Sequence, residues 1–251
     1  MKFNKKLSDE LQSKSYKRGY VPQHEQRILT INDKTIGTLQ NIVVFTGLPK
    51  AGKSTFLTAA LASSFISHPL LGMQINTPSK RNTIAYFDTE SSEYDFYRSM
   101  DRVKTLLCIS ELPSELHSYM FRNSNHEQIK TYIEYYLSQV PQCSVIFIDG
   151  LLDLLMNYND ETESRLLINW LKQITANYNI LCCGVVHTGK KDMNTLGHFG
   201  SMIDRYSQSV LVIEKDNNKQ TFSLSAKYLR SDYGLEPVIL QNINGLLTRI
   251  N

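Results

Sequence analysis

Short apolar runs and longer amphipathic stretches alternate along most of this chain, and their order predicts its architecture. Ile42-Val43-Val44-Phe45 is β-branched and aromatic and reads as a buried strand. Residues 55–65 follow, rich in Ala and Leu and free of Pro and Gly, which suits a helix. The same rhythm continues with strands over residues 83–88, 117–121, 144–149 and 180–186. Between them the spacing predicts helices over 92–107 and 125–139, and a third carrying Leu166, Leu167, Trp170, Leu171, Ile174 and Tyr178 on one face. In the helix over 125–139, Ile129, Tyr132, Ile133, Tyr136, Leu137 and Val140 share a single apolar stripe. Ser124 with Glu127 offers a capping box at its start, and Pro141 follows its end.

Both ends of the chain depart from this alternation. Near the start, Arg27–Ile31 and residues 34–36 flank Asn32-Asp33, the pattern of a small hairpin. After about residue 208 strands follow without helices. Residues 209–213 and 221–226 flank Asp216-Asn217-Asn218, and 238–240 and 246–250 flank Asn244-Gly245. Alternation followed by antiparallel strands predicts an α/β fold, a mostly parallel sheet with helices on both faces and a terminal antiparallel stretch.

Composition narrows the class. A hydrophobic content of 41% and a charged content of 20% are those of an ordinary globular protein with a real core. The net charge of +3 is too small to mark a dedicated nucleic-acid binder. No apolar run approaches the ~18 residues that would span a bilayer, and the charged residues 1–20 do not form a secretory signal. Cys108, Cys143, Cys182 and Cys183 show no C-x-x-C spacing, and three lie in or beside apolar runs. Buried free thiols in a reducing cytoplasm are the expectation. Residues 1–26 stand apart as a basic, flexible arm, with Tyr16 and Tyr20 available for docking; a solvated tail accounts for the same residues. Residues 27–251 form the expected globular domain.

Chemistry enters at residues 47–54. Gly47-Leu48-Pro49-Lys50-Ala51-Gly52-Lys53-Ser54 is a complete G-x-x-x-x-G-K-[ST] phosphate-binding loop, with Thr55 continuing into the helix. A strand before it and a helix after it aim successive backbone N–H groups at an anion. Lys53 is placed to reach the β- and γ-phosphates of a nucleoside triphosphate, and the Ser54 hydroxyl to ligate Mg²⁺. Val145-Ile146-Phe147-Ile148-Asp149 ends a continuous apolar strand in one acid, the Walker B form, so Asp149 joins Ser54 as a magnesium residue. Asp153 reads as a surface acid or a distant support, and the surface reading is the simpler.

Asp88-Thr89-Glu90 closes the first strand after the loop, and there the chain resembles the RecA-like ATPases. In those proteins the corresponding strand carries a catalytic glutamate two residues after a small or acidic one. The resemblance implies a RecA-like P-loop core, ATP as nucleotide and Glu90 as the residue that orients water. His187 ends the strand after Walker B, where the compact replicative helicases similar to RepA place a γ-phosphate sensor before a mobile loop facing DNA. Lys190, Lys191 and His198 on the following loop then become candidate nucleic-acid contacts, although a solvated basic loop explains them equally. The RepA-like and DnaB-like families also carry a Lys and an Arg that reach a neighbouring subunit's ATP. Lys227 and Arg230 stand in that region, with two residues between them instead of the usual one, which leaves open which of them reaches the phosphate.

The resemblance covers roughly residues 27–250. It implies a cytoplasmic homo-oligomer, a ring with a hexamer the expected closed form or else a filament, acting on single-stranded DNA. Partners in replication or transposition of a mobile element belong to an alternative reading, an ATP-dependent switch or loader. Other P-loop classes find no support. Asn218-Lys219-Gln220-Thr221 fails the guanine-recognition motif at its last position, and Leu48 stands where ParA-like ATPases carry an extra lysine. Lys50 is a further loop cation without an assigned role.

Overall fold

The computed structural model describes residues 2–21, 25–189, 197–243 and 246–250. Its elements run α1 (Lys2–Ser13), β1 (Arg27–Ile31), β2 (Lys34–Thr38), β3 (Ile42–Gly47), α2 (Lys53–Ala62), β4 (Met73–Ile75), β5 (Thr83–Asp88), α3 (Glu93–Leu107), β6 (Leu116–Met120), α4 (His126–Gln139), β7 (Cys143–Asp149), α5 (Glu161–Tyr178), β8 (Leu181–His187), α6 (Gly197–Tyr206), β9 (Ser209–Asp216), β10 (Thr221–Leu229), β11 (Val238–Ile243) and β12 (Leu246–Arg249). A nine-stranded sheet has the order β12-β11-β10-β9-β3-β8-β7-β5-β6. From β9 to β6 neighbouring strands are parallel. From β9 outward through β12 they are antiparallel. This is the RecA-like P-loop core with C-terminal antiparallel strands. A separate three-stranded sheet, β2-β1-β4, packs beside it.

The period-2 geometry of the parallel strands divides the core into two layers. Val43, Phe45, Ile84, Tyr86, Val145, Phe147, Cys183 and Val185 pack on the face covered by α2 and α3. Val44, Ala85, Phe87, Ile146, Ile148, Cys182 and Val186 face the other way, onto α4, α5 and α6. Phe45, Tyr86, Phe87 and Phe147 are fully buried, each contributing roughly 2 kcal/mol of transfer free energy. The same parity fixes the chemistry: Asp88 continues the Ile84–Tyr86 set, Asp149 the Val145–Phe147 set and His187 the Cys183–Val185 set. All three project toward the α2 layer at the carboxyl ends of their strands, where parallel sheets bind ligands.

Some local expectations shift. The capping box of α4 is Asn125 with Gln128, one residue later than Ser124 with Glu127. Asn125 Oδ1 accepts from the N–H groups of Glu127 and Gln128 at 3.1 and 2.9 Å, while Ser124 N–H is spent on the Phe121 carbonyl. Strand β4 pairs with β1 and is an element that the hydrophobic pattern did not announce. Within the basic arm Lys2–Ser13 is helical, and residues 5–21 are exposed. Cys143, Cys182 and Cys183 are buried free thiols, whereas Cys108 is exposed. Burial pushes Cys143 and Cys182 each up to about 12. Among the described residues no helix is long and apolar enough to cross a membrane.

Candidate functional site

The phosphate-binding loop leaves β3 at Gly47, where backbone passes against backbone: a Cβ there would lie 2.2 Å from the Ile213 carbonyl oxygen on β9. Gly52 caps α2 with φ of +91°, a conformation that L side chains rarely adopt, and Phe222 packs against it. Lys50 also takes a left-handed conformation, with φ of +65°. Lys53 opens α2, and its ammonium donates to the Gly47 and Leu48 carbonyls at 3.0 and 2.8 Å. The loop is thus closed over its own lysine. Burial pulls Lys53 down to about 8, against Glu90 and Asp149, which favour its charge. At neutral pH it remains mostly an ammonium.

The acids sit opposite. Asp149 is 4% exposed and Asp88 is fully buried, and the Tyr86 hydroxyl lies between them, 2.9 Å from Asp149 Oδ2 and 3.3 Å from Asp88 Oδ2. Burial pushes Asp149 up to about 6; the Ser54 hydroxyl hydrogen-bonds the carboxylate and favours its ionised form, while Asp88 opposes it. A buried carboxylate beside a serine hydroxyl is an oxygen donor set of the kind that Mg²⁺ takes. Among the described residues no group of three or more His, Cys, Asp and Glu could hold a metal. Mg²⁺ binds through one or two carboxylates and completes its shell with water and substrate phosphates. The donors present fit Mg²⁺ held by Ser54 and Asp149.

Glu90 follows the end of β5. Asp88 Oδ1 accepts from the N–H groups of Glu90 and Ser91 at 3.1 and 2.8 Å, turning the chain so that Glu90 leaves the sheet. Its carboxylate lies 3.1 Å from His187 Nε2 at the end of β8, and both side chains are partly exposed. The His187 Nδ1 atom is buried without a hydrogen-bond partner among the described residues. Behind Glu90, Thr89 Oγ1 lies 2.7 Å from Asp153 Oδ2 and 2.9 Å from the Asp149 carbonyl oxygen. Asp153 is exposed, as a surface acid is, yet the one-turn helix at Leu151–Leu154 folds its carboxylate back against the end of β5, where partial burial pushes it upward.

A cleft of about 340 Å³ gathers these groups, bordered by Lys50, Gly52, Lys53, Ser54 and Thr55 from the loop and by Glu90, Asp149 and His187. Its remaining wall escaped the sequence reading. Asp95, Arg98, Ser99 and Arg102 on α3 line it, and Arg102, pulled down by burial and by Arg98, is the more enclosed guanidinium. The available signal was the i, i+4 spacing of Arg98 and Arg102 directly after Glu90. Thr55, Arg98 and Arg102 also border a second cavity of about 150 Å³, which turns apolar at Leu106, Phe222 and Leu247.

Lys227 and Arg230 are not part of this cleft. Strand β10 runs antiparallel to β9, pairing Leu229 with Ser209, while Arg230 N–H bonds Gln208 O and Gln208 N–H bonds Ile42 O. Arg230 therefore lies at the amino-terminal edge of β3, about 16 Å of strand from Gly47, and Lys227 is level with Val44 and Phe45, its side chain turned to α6. Lys227 Nζ forms a 2.9 Å ion pair with Asp204 of α6, and Arg230 donates to the Arg205 carbonyl at 3.1 Å. With Tyr228 and Gln208 they line a larger hollow of about 800 Å³, remote from the phosphate loop. His198 is exposed on α6, and Lys190 and Lys191 fall outside the described residues.

A phosphate loop, a strand-end acid beside its serine, and a glutamate at the end of the intervening strand define a P-loop nucleoside triphosphatase core of the RecA-like kind. The chain belongs to the AAA domain family AAA_25, whose model matches residues 31–193, a P-loop ATPase family related to the RecA-like and DnaB-like ATPases. The matched span takes in the loop, Glu90, Asp149 and His187 and stops short of Lys227 and Arg230. No curated protein matches the chain.

Proposed function

We propose that this protein is a magnesium-dependent ATP hydrolase of the RepA/DnaB-related kind that acts on DNA as a ring or filament, with each active site completed by a neighbour. The observation that carries the catalytic part is the 3.1 Å contact between Glu90 and His187 on the rim of the cleft that also holds Lys53, Ser54 and Asp149. The triphosphate lies along the loop, with its β-phosphate over the α2 amino terminus. Lys53 exchanges the Gly47 and Leu48 carbonyls for phosphate oxygens. When bound, Mg²⁺ would neutralise charge developing on the phosphates. Glu90 orients the attacking water and takes up its proton as the γ-phosphoryl group departs. His187, at the end of β8, reports phosphate loss to the segment that follows it, which carries Lys190 and Lys191. The nucleoside leaves the loop past Thr55, toward Arg102 and the apolar cavity at Leu106 and Phe222.

The distance of Lys227 and Arg230 from their own loop supports action in trans. A cation that cannot reach its own site serves the copy beside it only through a head-to-tail interface, which closes a ring or propagates a filament. The test is ATP turnover with and without single-stranded DNA, combined with the mass of the assembled particle. DNA-stimulated turnover by an oligomer is expected; turnover that ignores both DNA and assembly overturns the proposal.

A second reading, an ATP-dependent switch or loader, is favoured by α1. This helix presents Leu7 and Leu11 at 52% and 72% exposure, as a docking element would. Strand displacement by the protein alone supports the motor. ATP-dependent capture of a replication or transposition protein without unwinding supports the loader.

A further inference from the structure

Four groups converge on one point behind Glu90. Gly150 follows Asp149 with φ of +117°, and a Cβ on it would lie 2.2 Å from Thr89 Oγ1, 2.9 Å from Asp153 Oδ2 and 3.0 Å from Glu90 Cγ. Thr89 joins the ends of β5 and β7: its N–H donates to the Asp149 carbonyl at 3.2 Å, and its hydroxyl lies 2.9 Å from the same oxygen and 3.1 Å from the Gly150 carbonyl. Asp153 Oδ2 lies 2.7 Å from that hydroxyl, and Asp153 N–H donates to the Gly150 carbonyl at 3.3 Å. A single hydroxyl proton cannot satisfy every acceptor around Thr89, and the carboxylate at 2.7 Å is the strongest of them.

We propose that Thr89 and Asp153 are positioning residues for the ATPase reaction, a bracket that fixes the water-orienting Glu90 relative to the magnesium-side Asp149. The inference rests on the catalytic reading of Glu90. Glu90 is partly exposed and, among the described residues, its carboxylate hydrogen-bonds only His187, so its root must be held for its tip to be placed. The bracket supplies that hold. It ties the strand bearing Glu90 to the strand bearing Asp149 at the level of the reacting atoms, and it needs a glycine at 150 to leave the space. Loss of such a constraint displaces a catalytic group by fractions of an ångström to an ångström, a change that can cost roughly a hundredfold in rate without altering ground-state binding.

The test uses the full chain with Thr89→Val, Thr89→Ser, Asp153→Ala and the Thr89→Val/Asp153→Ala pair. ATP affinity and the thermal midpoint are measured beside kcat. Thr89→Val and Asp153→Ala should each lower kcat by about ten- to a hundredfold with ATP affinity held, Thr89→Ser should restore most of the loss, and the pair should be no worse than the more damaging single change. Unchanged turnover in Thr89→Val, or additive losses in the pair, would overturn the bracket. If kcat and ATP affinity fall together in both single variants, the residues merely support the fold and the proposal fails. Glu90→Gln run alongside separates the two levels: a dead Glu90→Gln with an active Thr89→Val removes the bracket alone, whereas an active Glu90→Gln removes the catalytic reading beneath it.

Discussion

Glu90 Oε1 and His187 Nε2 stand 3.1 Å apart, although 97 residues separate them in the chain, because β5 and β8 both end at the same edge of the sheet on either side of β7. Two separate predictions follow from that pair. Glu90→Gln keeps the size and loses the base, so kcat should fall by about 10²–10⁴ while ATP binding persists. Single-turnover kinetics with a fluorescent nucleotide measures both. His187→Ala should spare basal hydrolysis more than Glu90→Gln does and should erase stimulation by single-stranded DNA, seen as equal rates with and without the polymer.

Asp149 makes stability depend on pH. Its pKa in the folded protein, about 6, exceeds the ordinary carboxylate value, so the folded state binds its proton more tightly than the unfolded chain. This stabilising contribution is complete below pH ~4 and disappears as pH rises through about 6. Asp149→Asn removes the charge that is costly to bury. In metal-free buffer it should stabilise the fold at pH 8 by on the order of 2 kcal/mol and much less at pH 4. Urea denaturation at the two pH values measures the difference. Nucleotide with Mg²⁺ should stabilise the native protein and have little effect on the variant.

Lys227 and Arg230 face away from their own loop, so their loss should leave ATP affinity intact and lower turnover. Arg230→Ala is expected to cost about 10³–10⁵ in kcat if it is the finger, with Lys227→Ala the smaller defect. Mixing Arg230→Ala with Glu90→Gln protein should recover activity at junctions that pair an intact base with an intact arginine. Steady-state ATPase over a range of mixing ratios measures the recovery.

Arg102 and Phe222 border the continuation of the cleft beyond Thr55. Arg102→Ala should weaken ATP binding by roughly tenfold and leave inorganic tripolyphosphate binding less affected, a comparison suited to calorimetry.

Much of this was legible in the sequence, because period-2 burial and the loop motif are local signals. Strand β5 occupies the residues that its apolar pattern marked, and β7 and β8 begin within a residue of theirs. Other features depend on partners far along the chain. Strand β4 is three residues long and exists because β1 offers it an edge. Asp153 is exposed, as its setting in the sequence suggested, but nothing near it announces that Gly150 turns its carboxylate back onto Thr89. Arg98 and Arg102 drew no reading from the sequence, because their place on the cleft depends on how α3 lies beside the loop. In the α4 cap, two adjacent residues could each serve, and the hydrogen bond from Ser124 N–H to Phe121 decided between them.

The placement of Arg230 at one margin of the sheet and the phosphate loop at the other also has a stoichiometric consequence. If the arginine serves the adjacent copy, catalytic capacity counts junctions and not chains. A linear stack always carries one idle nucleotide pocket at an end, and circularisation retires it. Two copies fused in tandem would own one working junction at any dilution.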